Sequence, residues 1–120
     1  MSKKILVVDD SPTEMKLMLQ VLQGMGHQVI TAEDGEQAIA QAAAHKPNLI
    51  LLDIVLPKKN GFQVCRQLKT AADTKDIKVI LVSSKNQESD RFWGMKQGAD
   101  EYMTKPYRPE DLAGAVQRNL

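Results

Sequence analysis

Leu49-Ile50-Leu51-Leu52-Asp53-Ile54-Val55-Leu56-Pro57 is an aliphatic run that carries one acid and closes on a proline. Runs this short, bounded by turn formers, suit a strand buried on both faces in the middle of a parallel sheet, where no polar face alternates with the apolar one. The strand runs out at Asp53. Ligands of open α/β sheets bind in the crevice beyond the carboxyl ends of the strands, so an acid there calls for a chemical role. Three other runs end comparably. Lys4-Ile5-Leu6-Val7-Val8 leads into Asp9 and Asp10, Lys78-Val79-Ile80-Leu81-Val82 into the hydroxyls of Ser83 and Ser84, and Glu101-Tyr102-Met103-Thr104 into Lys105-Pro106. In one sheet, three carboxylates, a hydroxyl and an ammonium meet at a single edge.

The segments between these runs read as helices. Ser11 as cap, Pro12 at the first helical position and Glu14 form a capping box. Met15, Met18, Leu19, Leu22 and Met25 then follow the spacing of one buried face, and Gly26 supplies a left-handed end. Gln28 to Ala32 reads as a strand. Asp34-Gly35-Glu36-Gln37 starts an alanine-rich helix that runs to about His45, where Lys46-Pro47 closes it. After the central strand, Asn60 and Gln63 cap a helix with Val64, Cys65 and Leu68 inside, and Ala71 to Asp76 is a connector. The polar stretch from Ser84 to Asp90 opens a helix containing Phe92, Trp93 and Met95, with Trp93 as a packing residue, and Gln97-Gly98 ends it. Pro109-Glu110-Asp111 begins the last helix, with Leu112, Ala115 and Val116 on its core face.

Five strands alternating with five helices make an α/β domain, because each parallel neighbour requires a crossover and each crossover here is helical. The expectation is one domain over residues 1–120: a flavodoxin-like, doubly wound parallel sheet of order 2-1-3-4-5 that sets Asp9, Asp10 and Asp53 side by side. A length of 120 residues leaves no room for a second domain. A net charge of +1 with both signs interspersed gives no support to nucleic-acid binding, and no apolar run approaches a membrane span. The lone Cys65 allows no internal disulfide and reads as a small core residue. His27 and His45 fall in turns without a partner at metal-ligand spacing.

Three carboxylates held together repel one another unless a cation neutralises them. Hard oxygen ligands without histidine or thiolate favour Mg²⁺, which binds one or two carboxylates together with a phosphate. The pattern therefore points to phosphoryl chemistry, with Asp53 as nucleophile, Lys105 neutralising the equatorial oxygens and Ser83 donating a hydrogen bond to one of them.

Asp9-Asp10, Asp53, Ser83 and Lys105-Pro106, in that order at the ends of successive strands, resemble the response-regulator receiver domain over the whole chain. The resemblance implies Asp53 as phosphoacceptor and Asp9, Asp10, Asp53 and the Val55 carbonyl around Mg²⁺. It further implies Lys105 as the phosphate-binding ammonium, Ser83 as the switch hydroxyl, Tyr102 as the switch aromatic and a cis Lys105-Pro106 peptide. It places the chain in the single-domain CheY-like class: a cytoplasmic protein, monomeric or weakly dimeric, whose only chemistry is its own phosphorylation and dephosphorylation. The donor implied is a histidine kinase of CheA-like type. Asp9-Asp10-Ser11-Pro12-Thr13-Glu14 and Trp93-Gly94-Met95-Lys96-Gln97-Gly98-Ala99 look most like PilH-type regulators of type IV pilus motility, which points to pilus motility or phototaxis and to a downstream motility or pilus protein. The chain departs from the family in the basic Lys58-Lys59 before Asn60-Gly61, in Ser84 where alanine is usual and in Ser83 where threonine is frequent.

Two expectations concern signalling. Drawing the Ser83 hydroxyl toward a phosphoryl oxygen vacates space for the Tyr102 ring and changes the surface of the fourth helix, fifth strand and fifth helix. Val55 and Lys85, two residues beyond Asp53 and Ser83, shield an aspartyl phosphate from in-line water and slow its hydrolysis relative to the chemotaxis regulator, the alternative for Lys85 being to stabilise transition-state charge. Other classes fit less well. An unphosphorylated adaptor leaves the converging acids without purpose. A flavodoxin-like flavin binder requires a donor-rich phosphate loop in place of Asp9-Asp10, and an aspartyl phosphatase of the haloacid-dehalogenase pattern requires an acid where Val55 stands.

Overall fold

The computed structural model describes residues 2–120. Along the chain run β1 (Lys4–Val8), α1 (Pro12–Gly24), β2 (Gln28–Ala32), α2 (Gly35–His45), β3 (Leu49–Asp53), α3 (Gly61–Thr70), β4 (Lys78–Ser83), α4 (Glu88–Lys96), β5 (Glu101–Thr104) and α5 (Pro109–Arg118). The strands form one sheet of order β2-β1-β3-β4-β5, parallel throughout. Every residue of β3 is buried: residues 49–52 are the unbroken aliphatic run that a central strand requires, and Asp53 is buried at its end. The register pairs Val8 with Leu52, Asp53 with Val82 and Ser83 with Thr104, so the residues after β1, β3, β4 and β5 emerge along the same edge.

Strand alternation divides the core in two. Leu6, Val8, Ile50, Leu52, Val79 and Leu81 face α2 and α3, with Tyr102 on the same side. Ile5, Val7, Leu49, Leu51, Ile80 and Val82 face α1 and α5 through Met18, Leu22, Leu112, Ala115 and Val116. Among the described residues, no helix is long and apolar enough to cross a membrane.

Local signals set most helix ends. Asp34 and Asn60 accept from the N–H groups of Gln37 and Gln63, and the Gln63 side chain returns a bond to the Asn60 N–H. Gly26, at φ +84°, ends α1 in a Schellman turn: its N–H donates to the Gln23 carbonyl and that of His27 to Leu22. The α1 start departs from expectation. Ser11 Oγ does accept from the Glu14 N–H, but the reciprocal bond, donated by the Ser11 N–H to the Glu14 carboxylate, is missing. The Ser11 N–H already donates to Asp9 Oδ1 at 2.9 Å, which leaves the Glu14 carboxylate free to turn toward Lys105.

The packing role expected for Trp93 is also corrected. Trp93 is 53% exposed, Phe92 64% and Met95 44%, while the buried residue of α4 is Gly94. A Cβ at Gly94 would press on Leu81 and the Tyr102 ring, so the missing side chain lets the helix backbone approach the sheet. The helical period then turns the large residues to the outside.

Candidate functional site

The β1 and β3 ends bring one carboxylate oxygen each from Asp9, Asp10 and Asp53 within 4.8 Å of one another. Asp9 and Asp53 are buried and Asp10 is exposed. Lys105, delivered by the end of β5, donates from Nζ to Asp9 Oδ2 at 3.0 Å and to Asp53 Oδ2 at 3.2 Å, and lies 3.9 Å from Glu14 Oε2. The other oxygens are engaged too: Asp9 Oδ1 accepts from the Ser11 N–H and Asp53 Oδ1 from the Val55 N–H at 3.2 Å. Lys105-Pro106 is cis, as the resemblance implied.

Burial pushes the Asp53 carboxyl above its usual range, with the Lys105 ammonium pulling it down and Asp9 pushing it further up. Burial works against the charge of Lys105 as well. The hydrogen bond to Asp9 and the negative charge of Asp53 outweigh it, holding the ammonium above the ordinary lysine value and therefore charged at neutral pH. One ammonium among three aspartates leaves the cluster net negative. Its donors are all hard oxygens, which suits a small divalent cation such as Mg²⁺.

The loop after β3 is held close to this cluster by Gly61. Its N–H donates to the Ile54 carbonyl at 2.7 Å, and a Cβ on it would run into the Asp53 carbonyl and the Ile54 backbone. Val55 is exposed on this loop. With Ile54, Leu56, Asn60, Phe62 and Lys85 it lines an open pocket of ≈ 440 Å³.

Ser83, the last residue of β4, is fully buried, and its Oγ accepts from the Lys85 N–H at 3.3 Å. The carbonyl of Lys85 accepts from the Tyr102 hydroxyl at 2.6 Å. The Tyr102 ring is buried in this unphosphorylated structure, the residue being only 4% exposed. Gly94 leaves the ring its space, and the Arg91 guanidinium covers it 5.3 Å from the centroid while donating to the Tyr102 carbonyl at 3.0 Å. Burial holds the Tyr102 phenol above its ordinary value, so it stays a donor.

Seven of the eight residues singled out in the sequence, Asp9, Asp10, Asp53, Val55, Ser83, Lys85 and Lys105, lie at or just beyond the strand ends on this edge, and the eighth, Tyr102, sits inside β5 and reaches it through its hydroxyl. The acids and Lys105 form one contact network, and Ser83, Lys85 and Tyr102 form a second. Sequence reasoning missed Glu14, Arg91 and Tyr107. The Tyr107 hydroxyl oxygen is buried with no hydrogen-bond partner among the described residues. Burial, followed by the charge of Glu14, pushes its phenol up to about 12. Its position two residues after Lys105 was the available signal.

A family model described as the response regulator receiver domain matches residues 5–117. The chain belongs to the response-regulator receiver family. It is 50% identical over 117 residues to protein PilH of Pseudomonas aeruginosa PAO1, covering 98% of this chain and 97% of that one. Among solved structures it is similar to the chemotaxis response regulator CheY4 of Vibrio cholerae, with TM-score 0.93, 28% identity and full coverage of both chains. It is also similar to the receiver domain of a sensor histidine kinase from Pseudomonas aeruginosa PAO1, solved with magnesium coordinated in its active site cleft. That likeness has TM-score 0.91 and 25% identity over 99% of this chain and 98% of that one. Receivers are signalling proteins of phosphorelays: they bind Mg²⁺ at an acidic pocket and interact with histidine kinases and downstream effectors. This receiver has such an acidic pocket in Asp9, Asp10 and Asp53.

Proposed function

We propose that this protein is a stand-alone response regulator that accepts a phosphoryl group on Asp53 from the phosphohistidine of a CheA-like kinase in the cytoplasm. The Lys105 ammonium carries the reading, because it bridges Asp9 and Asp53 at 3.0 and 3.2 Å beside three clustered carboxylates. In the transfer an Asp53 carboxylate oxygen forms the new P–O bond while the P–N bond to the donor imidazole breaks, and the imidazole leaves with the bonding pair and takes up a proton. The Val55 N–H holds Asp53 Oδ1, fixing the carboxylate for attack. Lys105 turns its N–H donors to the phosphoryl oxygens, and Ser83 donates its hydroxyl hydrogen to one of them. Asp9, Asp10 and Asp53, with the Val55 carbonyl, would hold Mg²⁺, which supplies positive charge to the phosphoryl oxygens when bound. Val55, exposed two residues beyond Asp53, and Lys85, exposed in the same pocket as Val55, restrict in-line approach of water and lengthen the life of the phosphoaspartate.

The output passes through the α4, β5 and α5 surface to a motility or pilus protein, in chemotaxis-like control of type IV pilus motility or phototaxis. Likeness to PilH over nearly the whole of both chains supports that assignment and the stand-alone state. The protein acts as a monomer or weak dimer. The test is capture from a cell extract with phosphorylated wild type and with Asp53→Asn, followed by mass spectrometry. A motility or pilus protein retained by the phosphorylated form alone is the expected result. Identical capture by both forms would make the chain an adaptor indifferent to phosphorylation.

A further inference from the structure

We propose that Tyr107 positions Lys105 through Glu14: its hydroxyl takes over the Glu14 carboxylate when Lys105 leaves that acid for a phosphoryl group on Asp53. The inference rests on the phosphoacceptor reading of Asp53 and adds two residues to it. Lys105 Nζ stands 3.0 Å from Asp9 Oδ2, 3.2 Å from Asp53 Oδ2 and 3.9 Å from Glu14 Oε2. An ammonium has three N–H donors. A phosphoryl oxygen entering this set displaces one acceptor, and Glu14, the most distant, is held least.

Tyr107 supplies the other half of the exchange. Its ring packs against the core shared by α1 and α5, and its hydroxyl oxygen is shut off from solvent with no partner among the described residues. A buried hydroxyl left unpaired costs free energy that any nearby acceptor would recover. The charge of Glu14 acts on that hydroxyl, as do those of Lys105 and Asp9, and Lys105 Nζ itself stands 3.9 Å from Glu14 Oε2. Both Asp9 oxygens are already engaged, one by the Ser11 N–H and one by Lys105. Glu14 is not, because its capping bond does not form. Its carboxylate therefore has two cationic or protic suitors, Lys105 and Tyr107. Bonding to the second offsets the loss of the first and lowers the cost of sending Lys105 to the phosphoryl group.

The experiment is a titration with beryllofluoride, a phosphoryl mimic, at fixed Mg²⁺, on wild type, Tyr107→Phe, Glu14→Ala and the double variant, with thermal melts of the unliganded proteins. Tyr107→Phe is expected to melt at or above the wild-type temperature when unliganded, yet to bind beryllofluoride about ten-fold more weakly, the worth of one hydrogen bond to a charged group. In the Glu14→Ala background the same change is expected to have no effect on binding. An equal penalty in both backgrounds, no penalty in either, or a lowered melting temperature of unliganded Tyr107→Phe would overturn the inference. Asp53→Asn serves as control. A wild-type response that survives Asp53→Asn, or its complete absence, would overturn the phosphoacceptor reading and this inference together. An Asp53-dependent response that Tyr107→Phe leaves unchanged would overturn this inference alone.

Discussion

The Tyr102 hydroxyl donates to the Lys85 carbonyl at 2.6 Å, and the N–H of that same lysine donates to Ser83 Oγ at 3.3 Å. One residue of backbone thus joins the end of β4 to the aromatic ring of β5. If Ser83 turns its hydroxyl to a phosphoryl oxygen, the Lys85 backbone must readjust, and the ring, α4 and Arg91 are next in line. Trp93, the one tryptophan of the chain, lies half-exposed on α4, where its emission is the probe for that movement. Ser83→Ala is expected to accept phosphate but to lose most of the phosphorylation-induced change in Trp93 emission. Tyr102→Phe should do the same, and the double variant should be no worse than either. Additive losses would mean that the two side chains act separately.

Phosphate loss tests the neighbouring pair. Val55 offers attacking water no hydrogen bond, and Lys85 sets a cation at the same mouth of the site. Acid-quench measurements should find hydrolysis at least about five-fold faster in Val55→Asn and in Lys85→Glu, roughly the effect of one added hydrogen bond on a barrier. Variants that both lose phosphate at the wild-type rate would contradict the shielding account.

Gly61 tests how the site is supported. A Cβ there would collide with the Asp53 carbonyl and the Ile54 backbone, neither of which is a flexible side-chain tip. Gly61→Ala should lower stability by about 3 kcal/mol, at the upper end of ordinary overpacking, and weaken Mg²⁺ binding at the same time. Chemical denaturation and a Mg²⁺ titration check the two effects.

The acid limb of stability should bear the mark of Glu101. Its hydrogen bond from Arg118 holds the carboxyl below the ordinary value of 4.5, against a smaller opposing effect of burial. A carboxyl lowered on folding adds stability above its unfolded value and loses it as pH falls through the lowered one. Arg118→Ala should therefore be less stable than wild type at neutral pH, with the difference closing as the solution becomes acid. Equilibrium denaturation across that range reads it directly.

The fold was legible because each strand carries its own address. Unbroken aliphatic composition marked β3 as central, and capping residues at Asp34 and Asn60 fixed where helices began. The edge chemistry followed, since Asp9, Asp10, Asp53, Ser83 and Lys105 each lie at the end of a strand. Two side-chain choices were not legible. Glu14 has the spacing of a capping acid, and only the Ser11 bond to Asp9 and the position of Lys105, 91 residues later, explain why it turns away. The exposure of Trp93 depends on Gly94 meeting the Tyr102 ring, a contact between α4 and β5 that helical periodicity does not encode.

The most direct test of the central claim is the intact mass of the protein after incubation with a small phosphodonor and Mg²⁺. Wild type should gain one phosphoryl group when Mg²⁺ is present, gain none when Mg²⁺ is left out of the incubation, and gain none as Asp53→Asn, whose amide keeps the shape of the carboxylate without its nucleophilicity. Full labelling of Asp53→Asn, or labelling of wild type to the same extent in chelator, would contradict the account.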